Sequence, residues 1–163
     1  MYKMEEKAKL TIILDDEIIS MLPQSLAGII TQNKDVAEVR VANVQDLEDI
    51  TDALTPSDHL KDQMQDWSLV TLHFLNTNLK QTYLLGDKSN GNGPRITSGV
   101  KAFDEERKLI STSSGSLYSL GIPRIGEPSP CQLVMVCIAL RRIGVGHGLG
   151  IPDYRNLISS AES

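Results

Sequence analysis

Runs of apolar and β-branched residues alternate with polar turns over residues 67–120. Asn, Gly, Asp and Ser dominate the segments between the runs, and these residues favour tight turns. The pattern predicts an antiparallel meander of five strands. In the first strand both alternating sets of positions hold large apolar residues, which predicts a strand covered on both faces. The strands are expected at residues 67–75, 79–85, 96–103, 108–112 and 116–120.

A β-α-β segment is predicted before this meander. Residues 9–14 and 36–41 are rich in β-branched or alternating apolar residues and predict its two strands. Apolar residues from Ile18 to Ile30 recur at helical spacing between them. Pro23 interrupts this spacing, and the helix can also begin there with Pro23 in its first turn.

Two short helices are predicted between the β-α-β segment and the meander. Apolar residues spaced along one helical face mark an amphipathic helix within residues 44–55. Ser57 or Asp58 is placed to cap a second, brief helix that runs to Gln65.

A buried helix is predicted near the C-terminus, at residues 131–143. It follows a proline-containing loop, 121–130, in which Ser129 is a suitable N-cap and Pro130 a suitable first helical residue. Residues 133–140 are apolar nearly all round, which predicts burial against the sheet or a second subunit. So short an apolar run is also compatible with a central strand.

The expected fold class is therefore α+β, in one domain that spans residues 1–163 with a polar tail at 1–8. A chain of 163 residues suits one hydrophobic core, and its 40% hydrophobic and 23% charged residues are ordinary for a globular protein. Residues 1–8 lack the pattern of a signal peptide, and the longest apolar run is far shorter than the ~20 residues of a membrane helix. These features predict a soluble, cytoplasmic protein without a membrane segment.

The net charge and the cysteine positions argue against some partners and some kinds of site. The net charge of −5 argues against a broad phosphate-binding surface and therefore against nucleic acid as a partner. Cys131 and Cys137 lie on different sides of the predicted helix and should be buried thiols rather than a disulfide. No His or Cys spacing indicates a metal site, and no motif indicates a cofactor.

The segment 86–95 is the first candidate site for an anionic ligand. Its glycines allow backbone N–H groups to turn toward an anion, while Lys88 and Arg95 add positive charge beside the amides of Asn90 and Asn92. The spacing differs from that of a phosphate-binding Walker loop, which opens a helix. A hairpin connection explains the same residues.

Arg141, Arg142 and His147 form the second candidate site. They flank the glycine-rich segment 144–150, which lacks the spacing of a dinucleotide-binding turn and also suits a helix cap. His147 has the more approachable ring because its neighbours are glycines.

The sequence favours a non-enzymatic binding protein that acts through a protein partner, as an inhibitor or an adaptor, with homo-oligomers possible. The reason is negative, because no nucleophile and base occur at a catalytic spacing. The alternative is a small-molecule or nucleotide-binding protein that uses the two glycine-rich segments. A third hypothesis is an enzyme whose site combines His147 with an acid distant in sequence.

Overall fold

The computed structural model describes residues 22–55 and 59–154. Within them, the chain forms a 3-10 helix (Leu26–Gly28), six strands and two α-helices. The strands are β1 (Ala37–Val41), β2 (His59–Phe74), β3 (Leu79–Lys88), β4 (Pro94–Asp104), β5 (Leu109–Thr112) and β6 (Ser116–Leu120), and the helices are α1 (Val44–Glu48) and α2 (Pro130–Arg142). No helix in this part of the chain is long and apolar enough to cross a membrane.

Strands β2 to β6 form a sheet that closes on itself. Consecutive strands pair antiparallel, and β6 returns to pair in parallel with the first part of β2, His59–Met64. The second part of β2, Val70–Phe74, pairs instead with β1. A bulge between Gln65 and Ser68 separates the two parts, so one strand of 16 residues joins the closed sheet to the β1 edge.

One apolar cluster fills the inside of the closed sheet. All five of its strands contribute buried side chains, and residues of the α1 segment pack against the cluster. The cluster consists of Met64, Leu69, Leu84, Val100, Ile110, Tyr118 and Leu120. Since α1 and the residues after it contact this cluster, they cover one end of the closed sheet.

A second apolar cluster lies between the outer face of the sheet and α2. It contains Val39, Val70, Leu72 and Leu85 from the sheet, and the helix residues Leu133, Val136, Cys137 and Leu140. Leu69 and Val70 therefore belong to different clusters, which confirms that this strand is covered on both faces. Helix α2 itself lies mainly over β4 and β3.

Local signals explain where α2 begins and ends. The Ser129 hydroxyl accepts a hydrogen bond from Gln132 N, while the Gln132 side chain accepts one from Ser129 N. This capping box, together with Pro130 in the first turn, sets the start of the helix. Gly144 follows the end with a φ of 89°, a conformation that glycine adopts without strain. The helical prediction is thus confirmed, and the alternative strand is wrong.

The structure confirms the α+β class and the antiparallel meander, and it corrects one predicted helix. His59–Gln65 belongs to β2 rather than to a helix, because pairing with β6 buries Met64 inside the closed sheet. The predicted strand 9–14 lies outside the described residues. Of the predicted helix from Ile18 to Ile30, the described part contains the 3-10 helix Leu26–Gly28.

Candidate functional site

An apolar groove lies between the second half of α2 and the outer face of the sheet. Its volume is about 220 Å³. Strands β1 to β4 form its floor, the last turns of α2 form a wall, and most of the lining side chains are aliphatic. The lining residues are Val39, Val70, Leu72, Tyr83, Ile96, Thr97, Ser98, Val136, Ala139, Leu140, Arg142 and Ile143. Because the floor and wall belong to the second apolar cluster, the groove is formed by the packed core of the protein.

The mouth of this groove combines apolar surface with one positive charge. The lining residue Ile143 is 55% exposed. The Arg142 guanidinium makes no ion pair with any residue in the described ranges. Burial raises the pKa of the Tyr83 phenol, which also lines the groove. The site thus offers apolar contacts and a cationic group, but no acid or base beside a nucleophile.

A buried ion-pair network fixes the floor of the groove from the other face of the sheet. The Asp46 carboxylate has no exposed surface and accepts hydrogen bonds from Arg40 at 2.8 Å, Lys80 at 2.9 Å and Asn43 N at 3.0 Å. Burial opposes ionisation of Asp46, but these hydrogen bonds and the charge of Arg40 hold its pKa well below its usual range. Arg40 lies on β1, Asp46 on α1 and Lys80 on β3, so the network ties three elements together.

The loop of residues 121–129 lies at the other end of α2 and is held by several hydrogen bonds. Trp67 Nε1 donates to Gly121 O at 3.0 Å, and Arg124 N donates to Trp67 O at 2.8 Å. Arg124 also donates to the Asp66 carboxylate at 2.7 Å, and Leu26 N donates to Glu127 at 2.9 Å. These contacts hold the loop at Gly121, at Arg124 and at Glu127.

Two isoleucines of this fixed loop point into solvent. Ile122 is 73% exposed and Ile125 is 95% exposed. A single exposed apolar side chain is common on protein surfaces. Two of them on a loop of fixed conformation form an apolar projection that binding would not have to order.

A polar cluster joins this loop to the start of α2. Gln132 is buried and donates from Nε2 to Asp66 O at 2.9 Å and to the Asp87 carboxylate at 3.2 Å. Burial raises the pKa of Asp87, the charge of Asp66 raises it further, and the hydrogen bond from Gln132 and the charge of Arg124 oppose both effects. Ionised Asp87 therefore costs folding free energy at neutral pH.

Replacing Asp87 with asparagine is expected to raise the melting temperature at pH 7 by about 1–3 °C. An amide oxygen still accepts from Gln132, while the buried charge is removed. Because the pKa of Asp87 is raised in the folded state, its contribution to stability is present below the unfolded pKa and is lost as pH rises through the folded pKa. The gain measured by calorimetry should consequently vanish at acidic pH.

Asp104→Asn provides the opposite control for that measurement. Hydrogen bonds from the backbone and side chain of Arg107 lower the pKa of Asp104, so its ionised form favours the folded state. Its amide variant should melt at a lower temperature at pH 7. Equal shifts in the same direction for both variants would contradict the assignment for Asp87.

The first predicted anion site forms a compact hairpin between β3 and β4. Lys88 N donates to Gly93 O at 3.1 Å, and Asn92 N donates to Asn90 Oδ1 at 3.0 Å. The Arg95 guanidinium lies 6.0 Å from the centre of the Tyr118 ring, at the inner cluster. Its Nε is buried and has no hydrogen-bond partner within the described residues. The hairpin interpretation accounts for the backbone, and anion binding by these residues stays a prediction.

The residues of the second predicted anion site do not act together in the structure. Arg141 donates to Ile151 O at 2.8 Å and lies 3.6 Å from the Asp153 carboxylate, so it holds the segment after α2. Arg142 lines the apolar groove. His147 lies in the exposed turn that follows the helix, where its carbonyl accepts from Gly150 N at 3.3 Å. Of the residues singled out from sequence, only Arg142 lines the groove.

The two cysteines and the acidic residues offer little reactive chemistry. Burial raises the pKa of Cys137 to about 12 and also raises that of Cys131, with a smaller contribution from Asp87. Both thiols are free. Across residues 22–55 and 59–154, no three His, Cys, Asp or Glu side chains are grouped so that they could hold a metal ion.

Sequence reasoning missed the aliphatic groove and the exposed loop. The groove residues resemble ordinary core residues in sequence, and Ile143, an apolar residue just after Arg141 and Arg142, was the one available signal. In the loop the corresponding signal was Ile125, an isoleucine between polar and turn-forming residues. Comparisons with protein-family models, curated proteins and solved structures found no match to this chain.

Proposed function

We infer that this chain is a non-enzymatic binding protein, and that its groove holds aliphatic side chains of a protein partner. The observation that carries this proposal is the groove itself, an open apolar site of about 220 Å³ on the packed core. Sites for drug-sized small molecules usually measure about 300–1,000 Å³. The smaller, open site suits a few anchor side chains that project from a larger surface.

The partner's chemistry follows from the lining of the groove. Aliphatic anchors would cover Tyr83, Ile96 and Ile143, lining residues that keep exposed apolar surface, and burying such surface is favourable at about 25 cal/mol per Å². Arg142 at the mouth favours a partner with an acidic residue beside its apolar anchors. An inhibitor and an adaptor could both use such a site, and the alternative of an anionic small molecule at the glycine-rich segments stays a prediction.

Replacing Ile143 with aspartate is expected to weaken peptide binding at least tenfold, a loss of about 1.4 kcal/mol. The probe is a random peptide library displayed on phage and selected against the wild-type chain, followed by fluorescence polarisation with synthetic copies of the selected peptides. We expect the selected peptides to share aliphatic residues next to an acidic residue. The aspartate introduces a charge at the apolar mouth of the groove.

Leu79→Asp is the matched control, because it places an aspartate at an exposed aliphatic residue outside the groove. It should leave peptide affinity within twofold of the wild type. Circular dichroism and thermal melting check that both variants are folded. Peptides that bind Ile143→Asp and wild type equally well would overturn the proposal, as would a selection that yields no binding peptide.

A further inference from the structure

The projecting loop and the apolar groove lie at opposite ends of α2. Residues 121–129 lead directly into Pro130, the first residue of the helix, whereas the groove is lined by Val136 to Ile143 at its other end. Thirteen residues at about 1.5 Å each make α2 about 20 Å long. Ile122 and Ile125 are 73% and 95% exposed, so the loop does not occupy the groove of its own molecule.

The two features are both apolar, and one projects where the other recedes. Ile122 and Ile125 project from a fixed backbone, and the groove recedes between α2 and the sheet. The groove has a volume of about 220 Å³ and a mostly aliphatic lining, which suits aliphatic side chains.

The charges of the two features are also complementary. The loop carries Glu127, an exposed residue whose carboxylate also accepts a hydrogen bond from Leu26 N, and the mouth of the groove carries Arg142, which is exposed as well. Arg124, the cation of the loop, is already paired with Asp66 at 2.7 Å. The projecting surface is thus apolar and acidic, and the receiving surface is apolar and basic.

We propose that the 121–129 loop of one molecule binds in the groove of a second copy, so that the chain assembles head to tail. This inference rests on the proposed function of the groove and names its partner. The contact joins two different surfaces, so each molecule can use its loop toward one neighbour and its groove toward another. Repetition of such a contact gives a closed ring or an open filament.

Complementation between two assembly-defective variants tests the proposal. In sedimentation equilibrium, the wild type should show a mass that rises with concentration above the 17.9 kDa of one chain. Ile125→Asp loses the projection, Ile143→Asp loses the groove, and each variant alone should be monomeric. An equimolar mixture should form a species of twice the chain mass and nothing larger, because one intact loop and one intact groove remain.

Leu79→Asp controls for a general effect of adding charge, since Leu79 is 66% exposed on β3 and contributes to neither feature. It should assemble as the wild type does. A monomeric wild type at all concentrations would overturn head-to-tail assembly, as would a mixture that stays monomeric. If the wild type is monomeric but Ile143→Asp still abolishes peptide binding, this inference fails while the proposed function of the groove stands.

Discussion

Replacing Asp46 with alanine is expected to lower the free energy of unfolding by about 3 kcal/mol. The change leaves Arg40 and Lys80 without their shared buried partner and removes an acceptor from Asn43 N. Removing one partner of a buried ion pair typically costs about 3–5 kcal/mol. The lower end applies because the side chains of Arg40 and Lys80 remain 22% and 21% exposed and can partly rehydrate.

The measurement is urea unfolding followed by circular dichroism, at several pH values. The pKa of Asp46 is lowered in the folded state, so its contribution is present above the unfolded pKa of about 3.9 and is lost as pH falls toward the folded pKa. The difference between wild type and Asp46→Ala should therefore be largest near neutrality and shrink in acid. A difference that grows in acid would contradict the ion-pair account.

Asp49→Ala is the matched control for this network. Asp49 also pairs with Lys80, but its side chain is 45% exposed, and exposed ion pairs contribute little to stability. Its loss should be clearly smaller than that of Asp46→Ala at the same pH. If the two variants lose equal stability, burial of the Asp46 carboxylate is not what makes the network important.

Local patterns predicted the elements whose ends depend on neighbouring residues. The last strand of the meander has the predicted bounds, 116–120, because its turn residues and apolar alternation both lie within a few positions. The C-terminal helix differs by one residue at each end, since Ser129, Gln132 and Gly144 fix it through adjacent backbone groups. Turn and capping signals of this kind can be interpreted from the local sequence alone, without knowing which strands or helices pack against the segment.

Long-range pairing explains what the sequence could not predict. The segment His59–Gln65 is polar enough to resemble a capped helix, and its pairing with β6, joined at Met64 and Gln65 by pairing with β3, makes it part of a strand. Nothing near His59 in the sequence marks a parallel neighbour, because its partner strand β6 begins far along the chain, at Ser116. Closure of the sheet was missed for the same reason.

The candidate site depends even more on tertiary structure. Val39, Val70 and Ile96 lie far apart in sequence and look like core residues, so only their positions under the end of α2 reveal a groove. The sequence did indicate Arg142, because its charge stands out after an apolar run. A charge pattern thus predicted one residue at the mouth of the groove. The other lining residues are brought together only by the packing of α2 on the sheet.

Leu84 and Leu85 provide a direct test of the two-layered packing. These neighbours on β3 are both fully buried, but Leu84 belongs to the cluster inside the closed sheet and Leu85 to the cluster under α2. Each leucine-to-alanine substitution is expected to lower the free energy of unfolding by about 2–5 kcal/mol. Leu79→Ala, on the exposed start of the same strand, should change it by no more than about 0.5 kcal/mol.

The milder double variant Leu84→Val with Leu85→Val then shows whether the two clusters are independent. Each valine removes one methylene, and the side chains point to opposite faces of the sheet and have different neighbours. The loss of unfolding free energy in the double variant, measured by urea unfolding, should therefore equal the sum of the losses in the two single valine variants to within about 0.5 kcal/mol. If Leu84→Ala or Leu85→Ala left the free energy of unfolding unchanged, β3 would be covered on one face only. A much larger interaction energy between the valines would mean that the inner and outer clusters pack as one core.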